Sequence, residues 1–130
     1  MAERRLITSG SRFELLCGYS RAVRVGPWIA VAGCSAAAAD GPVGGPDIGA
    51  QTRECLRRVE NALTEAGASL ADVIRTRVFV TDMSAWQEIG RIHAEVFDGV
   101  LPASTIVEVS ALVLPDLLVE VEADAIVAMS

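Results

Sequence analysis

The clearest alternation of apolar and polar positions in this chain lies near its end. Leu118, Glu120, Glu122, Asp124 and Ile126 fall on one side of an extended backbone; Leu117, Val119, Val121, Ala123, Ala125 and Val127 fall on the other. Successive side chains of a strand point to opposite faces, so this period of two predicts a strand with one wholly apolar face, suited to packing on helices. The acidic set cannot enter a dry core unpaired, because bare carboxylates are too costly to bury. It must face water, a cleft, or bases on another strand or subunit. Residues 101–128 as a whole read as two strands joined by a turn at Leu114, Pro115 and Asp116.

The rest of the chain supplies partners for that strand. Residues 6–9 fit a short first strand. Residues 19–25 and 28–34 are β-rich runs separated by Gly26-Pro27, a hairpin signal. Ile48, Cys55, Leu56, Val59, Ala62, Leu63 and Ala66 recur at helical spacing, with Gly67 as the stop. Residues 73–81 form another strand, with Ile74, Val78 and Val80 as its apolar face, Thr76 among them, and Arg75, Arg77 and Phe79 opposite. Ser84 is placed to cap a helix running to about Phe97, with Trp86, Ile89, His93, Val96 and Phe97 near one side. The order β-β-β-α-β-α-β-β gives an α+β domain over residues 1–130, with two helices covering one face of one sheet. The other face needs a partner. The arginines of the 73–81 strand and the acids of the last strand are suited to pair across it.

Composition sharpens this picture. The chain is 52% hydrophobic with a mean hydropathy of +0.41, yet no apolar run approaches the ~20 residues that span a bilayer. The surplus apolar surface is expected to enter a subunit interface, where obligate contacts resemble a core. A net charge of −6 and the absence of lysine argue against nucleic acid, whose phosphates call for clustered bases. Cys17, Cys34 and Cys55 are an odd number without metal-ligand spacing and read as reduced thiols of a cytoplasmic protein. The N-terminus is charged and lacks the long apolar stretch of a signal peptide. With one histidine and scattered cysteines, no metal site or other cofactor is expected.

Several strings, in order and spacing, resemble the RidA/YjgF family, also called the endoribonuclease L-PSP family. They are GYSRAV (18–23), VAGCSA (31–36), AGASLADV (66–73), VFVTDMSAW (78–86), PASTIVEV (102–109) and VEVEADAIV (119–127). The resemblance implies a chorismate-mutase-like fold with a six-stranded sheet and two helices on one face. It also implies a homotrimer with small-molecule clefts between adjacent subunits. The deaminase branch hydrolyses reactive enamines and imines, such as 2-aminoacrylate, to a carbonyl compound and ammonia. An arginine in a Pro-x-Arg-Ser string holds the substrate carboxylate and a glutamate on the last strand handles the proton or the water.

Carried over residue by residue, that glutamate falls on Glu120 and the cleft tyrosine on Tyr19. The anchoring arginine falls on Ser104, the neighbouring cleft cysteine on Ile106, a third-strand serine on Ala32, and a second-helix asparagine on Gly90. Cys34 alternates with Ala32 and shares its face. A hydroxyl at 104 offers one donor where a guanidinium offers a charged two-point clamp. Its loss should cost on the order of 100-fold in affinity for a carboxylate. Arg77 and Arg21 are the other guanidiniums able to supply a charge.

Each candidate also has a plain structural role. Glu120 suits proton transfer, or pairing with an arginine at a seam. Tyr19 suits a ligand, or an interface gap. Cys34 and His93 suit packing better than chemistry. The expected function is hydrolytic deamination of a small imine, enamine or related carbonyl compound, inefficient on 2-aminoacrylate. The alternative is a non-catalytic small-molecule-binding or regulatory trimer.

Overall fold

The computed structural model describes residues 3–128, so the first two and last two residues of the expected 1–130 domain lie outside it. The elements are β1 (Arg4–Ile7), α1 (Arg12–Cys17), β2 (Ala22–Val25), β3 (Trp28–Cys34), α2 (Ile48–Glu65), β4 (Val73–Val80), α3 (Trp86–Val96), β5 (Ala103–Glu108) and β6 (Val119–Ile126). Six strands form one sheet in the order β1-β2-β3-β6-β4-β5. Every pairing is antiparallel except β4 with β5.

The alternation of the last strand decides its place. Val119, Val121, Ala123 and Ala125 are buried in turn, and their neighbours are half-exposed. This strand takes the central position, between β3 and β4. Its apolar side meets Cys55, Leu56, Val59 and Leu63 of α2 and Ile89 and Ile92 of α3 in one core. Full burial of such a side chain is worth roughly 1.5–3 kcal/mol. Asp47 caps α2 by accepting from the Ala50 backbone nitrogen. Gly67, at φ 84°, then turns the chain out and lets Ala68 N–H donate to the Leu63 carbonyl. The sheet's opposite side carries Arg77, Glu122 and Asp124, outside that core.

Four expectations are corrected. The strands within residues 101–128 are not neighbours: β5 runs parallel to β4 at the sheet edge, and the intervening segment carries the chain to the centre. The turn itself is present, with Leu117 N–H donating to the Leu114 carbonyl. Ile74 leaves the inner face of β4. A bulge between Val73 and Arg75 shifts the parity, so Val73 is buried and Ile74 faces out. Ser84 does not cap α3 with its side chain; it lies in a short 3-10 turn whose cap oxygen is that of Asp82. The first strand begins at Arg4 and ends at Ile7.

The sequence reading also left α1 unassigned. Its six residues are capped by Ser11, which accepts from Phe13 N–H, and closed by Gly18 at φ 71°. Leu15 and Leu16 are 90% and 76% exposed, so α1 lacks the inward apolar stripe that makes a helix legible.

Candidate functional site

Glu120 points away from the α2 side of β6, paired in register with Phe79 of β4. On its other flank β3 carries a bulge between Val31 and Cys34. Gly33 sits in that bulge, where an added Cβ would lie 2.7 Å from Glu120 Cδ and 2.8 Å from its Oε2. The bulge and the missing side chain together make the recess in which the carboxyl lies. Burial there pushes the carboxyl pKa up; the Arg21 guanidinium opposes the rise and the neighbouring Glu122 carboxylate adds to it.

Arg21 reaches the same recess from the segment before β2. Its Nη1 donates to the Gly33 carbonyl and lies 3.6 Å from Cys34 Sγ. Its Nε lies 3.6 Å from Glu14 Oε2, and its guanidinium stands 5.7 Å from the Tyr19 ring centre. Glu14 is fixed in turn from the loop after β1. It accepts from Thr8 Oγ1 at 2.8 Å, from the Ser9 hydroxyl and from Ser9 N–H. Burial works to raise the Glu14 pKa, but these hydrogen bonds and Arg21 outweigh it and hold the carboxyl below its ordinary value.

Glu120, Arg21 and Tyr19 line an open cleft of about 1240 Å³, walled by α2 residues including Arg58 and by loop residues 37–39, 41–42 and 113–117. Cys34 lies in its floor. Burial pushes its thiol pKa up despite Arg21, so it is a neutral thiol rather than a ready nucleophile. Burial raises the Cys55 thiol as well. Among the described residues no His, Cys, Asp and Glu grouping is fit to hold a metal.

The site residues expected from sequence therefore divide. Glu120, Tyr19 and Cys34 line the cleft together with Arg21. Ala32 lines an adjoining hollow with Tyr19, Leu6, Leu15, Glu122 and Asp124. Arg77 is committed elsewhere, 3.2 Å from both Glu122 and Asp124, as the expected cross-strand ion pairs. Ser104, Ile106 and Gly90 line neither space. Ser104 lies on β5 beside the buried Thr76, whose Oγ1 is 2.7 Å from Ser104 Oγ and 2.8 Å from His93 Nε2. Ile106 packs at the core margin. Gly90 lies on the exposed side of α3, with open space where a Cβ would be. Desolvation lowers the His93 pKa, keeping that ring neutral.

Sequence reasoning missed Gly33, Glu14 and Arg58. A glycine inside a strand pattern was the available signal for the first. Glu14 carried none, because it sits on a helix too short to read.

Comparison with known proteins agrees with this architecture. The profile of the family described as Endoribonuclease L-PSP matches residues 9–127. The crystal structure of Rv2704 from Mycobacterium tuberculosis, a member of the YjgF/YER057c/UK114 family, superposes with a TM-score of 0.89. It is 54% identical, over 96% of this chain and all of that one. An uncharacterized protein of Streptomyces coelicolor is 36% identical over 121 residues, 93% of this chain and 90% of its own. The 3-aminoacrylate deaminase RutC of Acinetobacter baylyi is 39% identical over 75 residues, 58% of this chain and 59% of its own. With this sheet order, these strings and these matches, the chain belongs to the RidA/YjgF, or endoribonuclease L-PSP, family.

Proposed function

We propose that this protein is a homotrimeric deaminase that hydrolyses a small imine or enamine in clefts between its subunits. The observation that carries this reading is Glu120: a half-buried carboxyl with a raised pKa, recessed against Gly33 in an open cleft. Such a group exchanges a proton nearer neutral pH than a free glutamate does. Protonated, it delivers its proton to the enamine carbon and leaves an iminium. As the carboxylate, it takes a proton from the water that adds to the iminium carbon. The carbinolamine then expels ammonia and leaves the carbonyl compound, so water is the only co-reactant. The deaminase named among the relatives supports this reaction class.

The division of the expected residues supports a shared cleft. Ser104, Ile106 and Gly90 stand apart from Glu120 within one chain, while β5 is an edge strand free to approach a second copy. The Ser104 hydroxyl is already engaged with Thr76, so the position that holds arginine in the deaminase branch supplies no clamp. Turnover of 2-aminoacrylate is therefore expected to be poor. Three unpaired cysteines fit work in the reducing cytoplasm.

The test follows ammonia release from freshly generated 2-aminoacrylate and from neutral imines. Turnover of 2-aminoacrylate should be slow, and Glu120→Gln should lower the rate on every imine that reacts at least about 100-fold. Silence towards every imine, with tight binding of a small molecule retained, would instead establish a non-catalytic binding protein.

A further inference from the structure

Arg21 has donor capacity that the protein leaves unused. Its side chain is only 11% exposed, and two of its three nitrogens are committed: Nη1 to the Gly33 and Ala32 carbonyls, Nε to the ion pair with Glu14. Among the described residues Nη2 has no hydrogen-bond partner. Yet no buried side-chain nitrogen or oxygen among them lacks one. Nη2 is therefore not fully buried, and the open space that Arg21 lines is the cleft.

Glu120 bounds the same space. Both groups lie against Gly33, one on its carbonyl and the other on its Cα. The Arg21 charge acts on Glu120, yet no nitrogen–oxygen contact of 4.0 Å or less joins them. A guanidinium and a carboxyl held apart in an open cleft leave a place for a ligand with an anionic end and a polar centre beside it. The Glu14 ion pair and the Tyr19 ring hold the guanidinium in position, so little ordering is needed on binding. Arg77 is neutralised by two acids outside the cleft; of the other arginines that line the cleft, Arg58 is held by Glu54 and the Ser35 carbonyl, and Arg12 lies over the Phe13 ring.

We infer that Arg21 Nη2 anchors the carboxylate of a small ligand whose neighbouring carbonyl or imine carbon lies towards Glu120. Only the identity of that carbon as a reacting centre rests on the deaminase reading; the anion site stands without it. With Nε and Nη1 occupied, Arg21 grips through one nitrogen rather than through the two-point fork. The hold is accordingly weak, which agrees with poor use of 2-aminoacrylate.

Calorimetric titration with pyruvate and with its neutral amide, pyruvamide, tests the assignment on the full chain. Pyruvate should bind at least about tenfold more tightly than pyruvamide, and Arg21→Gln should abolish that preference. Glu120→Gln should bind pyruvate as well as the wild type or better, because it removes a competing negative charge. If Arg21→Gln does not fold, Arg21→Lys should weaken pyruvate about fivefold and leave pyruvamide unchanged.

Equal affinity for the two ligands, no detectable pyruvate binding, or unchanged pyruvate affinity in the Arg21 variants overturns the inference. Ammonia release without the pyruvate preference removes Arg21 and leaves the deaminase standing. The preference without ammonia release from any imine does the reverse.

Discussion

At the scale of single residues, the candidate site depends on one absent methyl group. The ideal Cβ position on Gly33 falls within 3.0 Å of three atoms of the Glu120 side chain. Gly33→Ala must therefore move the carboxyl, which sits at the end of a flexible side chain and can yield. The fold should survive, with a loss of about 1–2 kcal/mol and a Glu120 pKa shifted back towards that of a free glutamate. Adding Glu120→Ala removes the other half of the collision, so the double variant should lose less than the sum of the singles by at least about 0.5 kcal/mol. Urea unfolding of the four proteins measures this coupling; strict additivity would mean that the two side chains do not compete for the recess. Glu120 and Tyr19 were legible in the sequence because alternation and family strings mark them. Gly33 was not, because what it makes room for comes from a strand far away in sequence, across a bulge that shifts the register.

At the scale of elements, α1 shows what pattern reading loses. It exposes its leucines and turns inward a single charged residue, Glu14, 5% exposed. That carboxylate ties the loop after β1, α1 and Arg21 together through Thr8, Ser9 and the ion pair. Glu14→Gln keeps the shape but removes the charge, and should cost about 1–3 kcal/mol at neutral pH. The sign with pH follows from the lowered folded-state pKa. Stability from ionised Glu14 is complete above the pKa of glutamate in the unfolded chain, and is lost as pH falls through the lower folded value. The gap between wild type and variant should close on acidification, visible as unfolding midpoints that converge as pH falls below the range in which a free glutamate titrates. A gap that persists in acid would assign the loss to shape rather than charge. The strands were easier to read, but not their neighbours. Nothing local in residues 101–128 reports that β5 takes the edge, whereas the wholly apolar face of β6 marks a strand that must be covered, as the central position ensures.

At the scale of the whole molecule, the apolar surplus in the composition reappears as surface. Leu6 is 61% exposed, Leu15 90% and Trp28 59%. Leu6 and Leu15 flank the hollow that also holds Ala32, Tyr19, Glu122 and Asp124. Apolar side chains beside a charged sheet face make a surface that discriminates: a second copy docked there would bury the leucines, and the charges would set its angle. Leu15→Glu places a third carboxylate beside Glu122 and Asp124, where an arriving copy would have to bury it. It leaves the inward side of α1 and the Glu14 contacts intact. The wild type should sediment as a trimer. The variant should sediment as a folded monomer and, although Leu15 does not line the cleft, lose ammonia release along with its partners. A variant that stays trimeric would move the interface to another face. A wild type that is monomeric at micromolar concentration would leave Ser104, Ile106 and Gly90 with no route to Glu120, and the shared-cleft reading would fall with it.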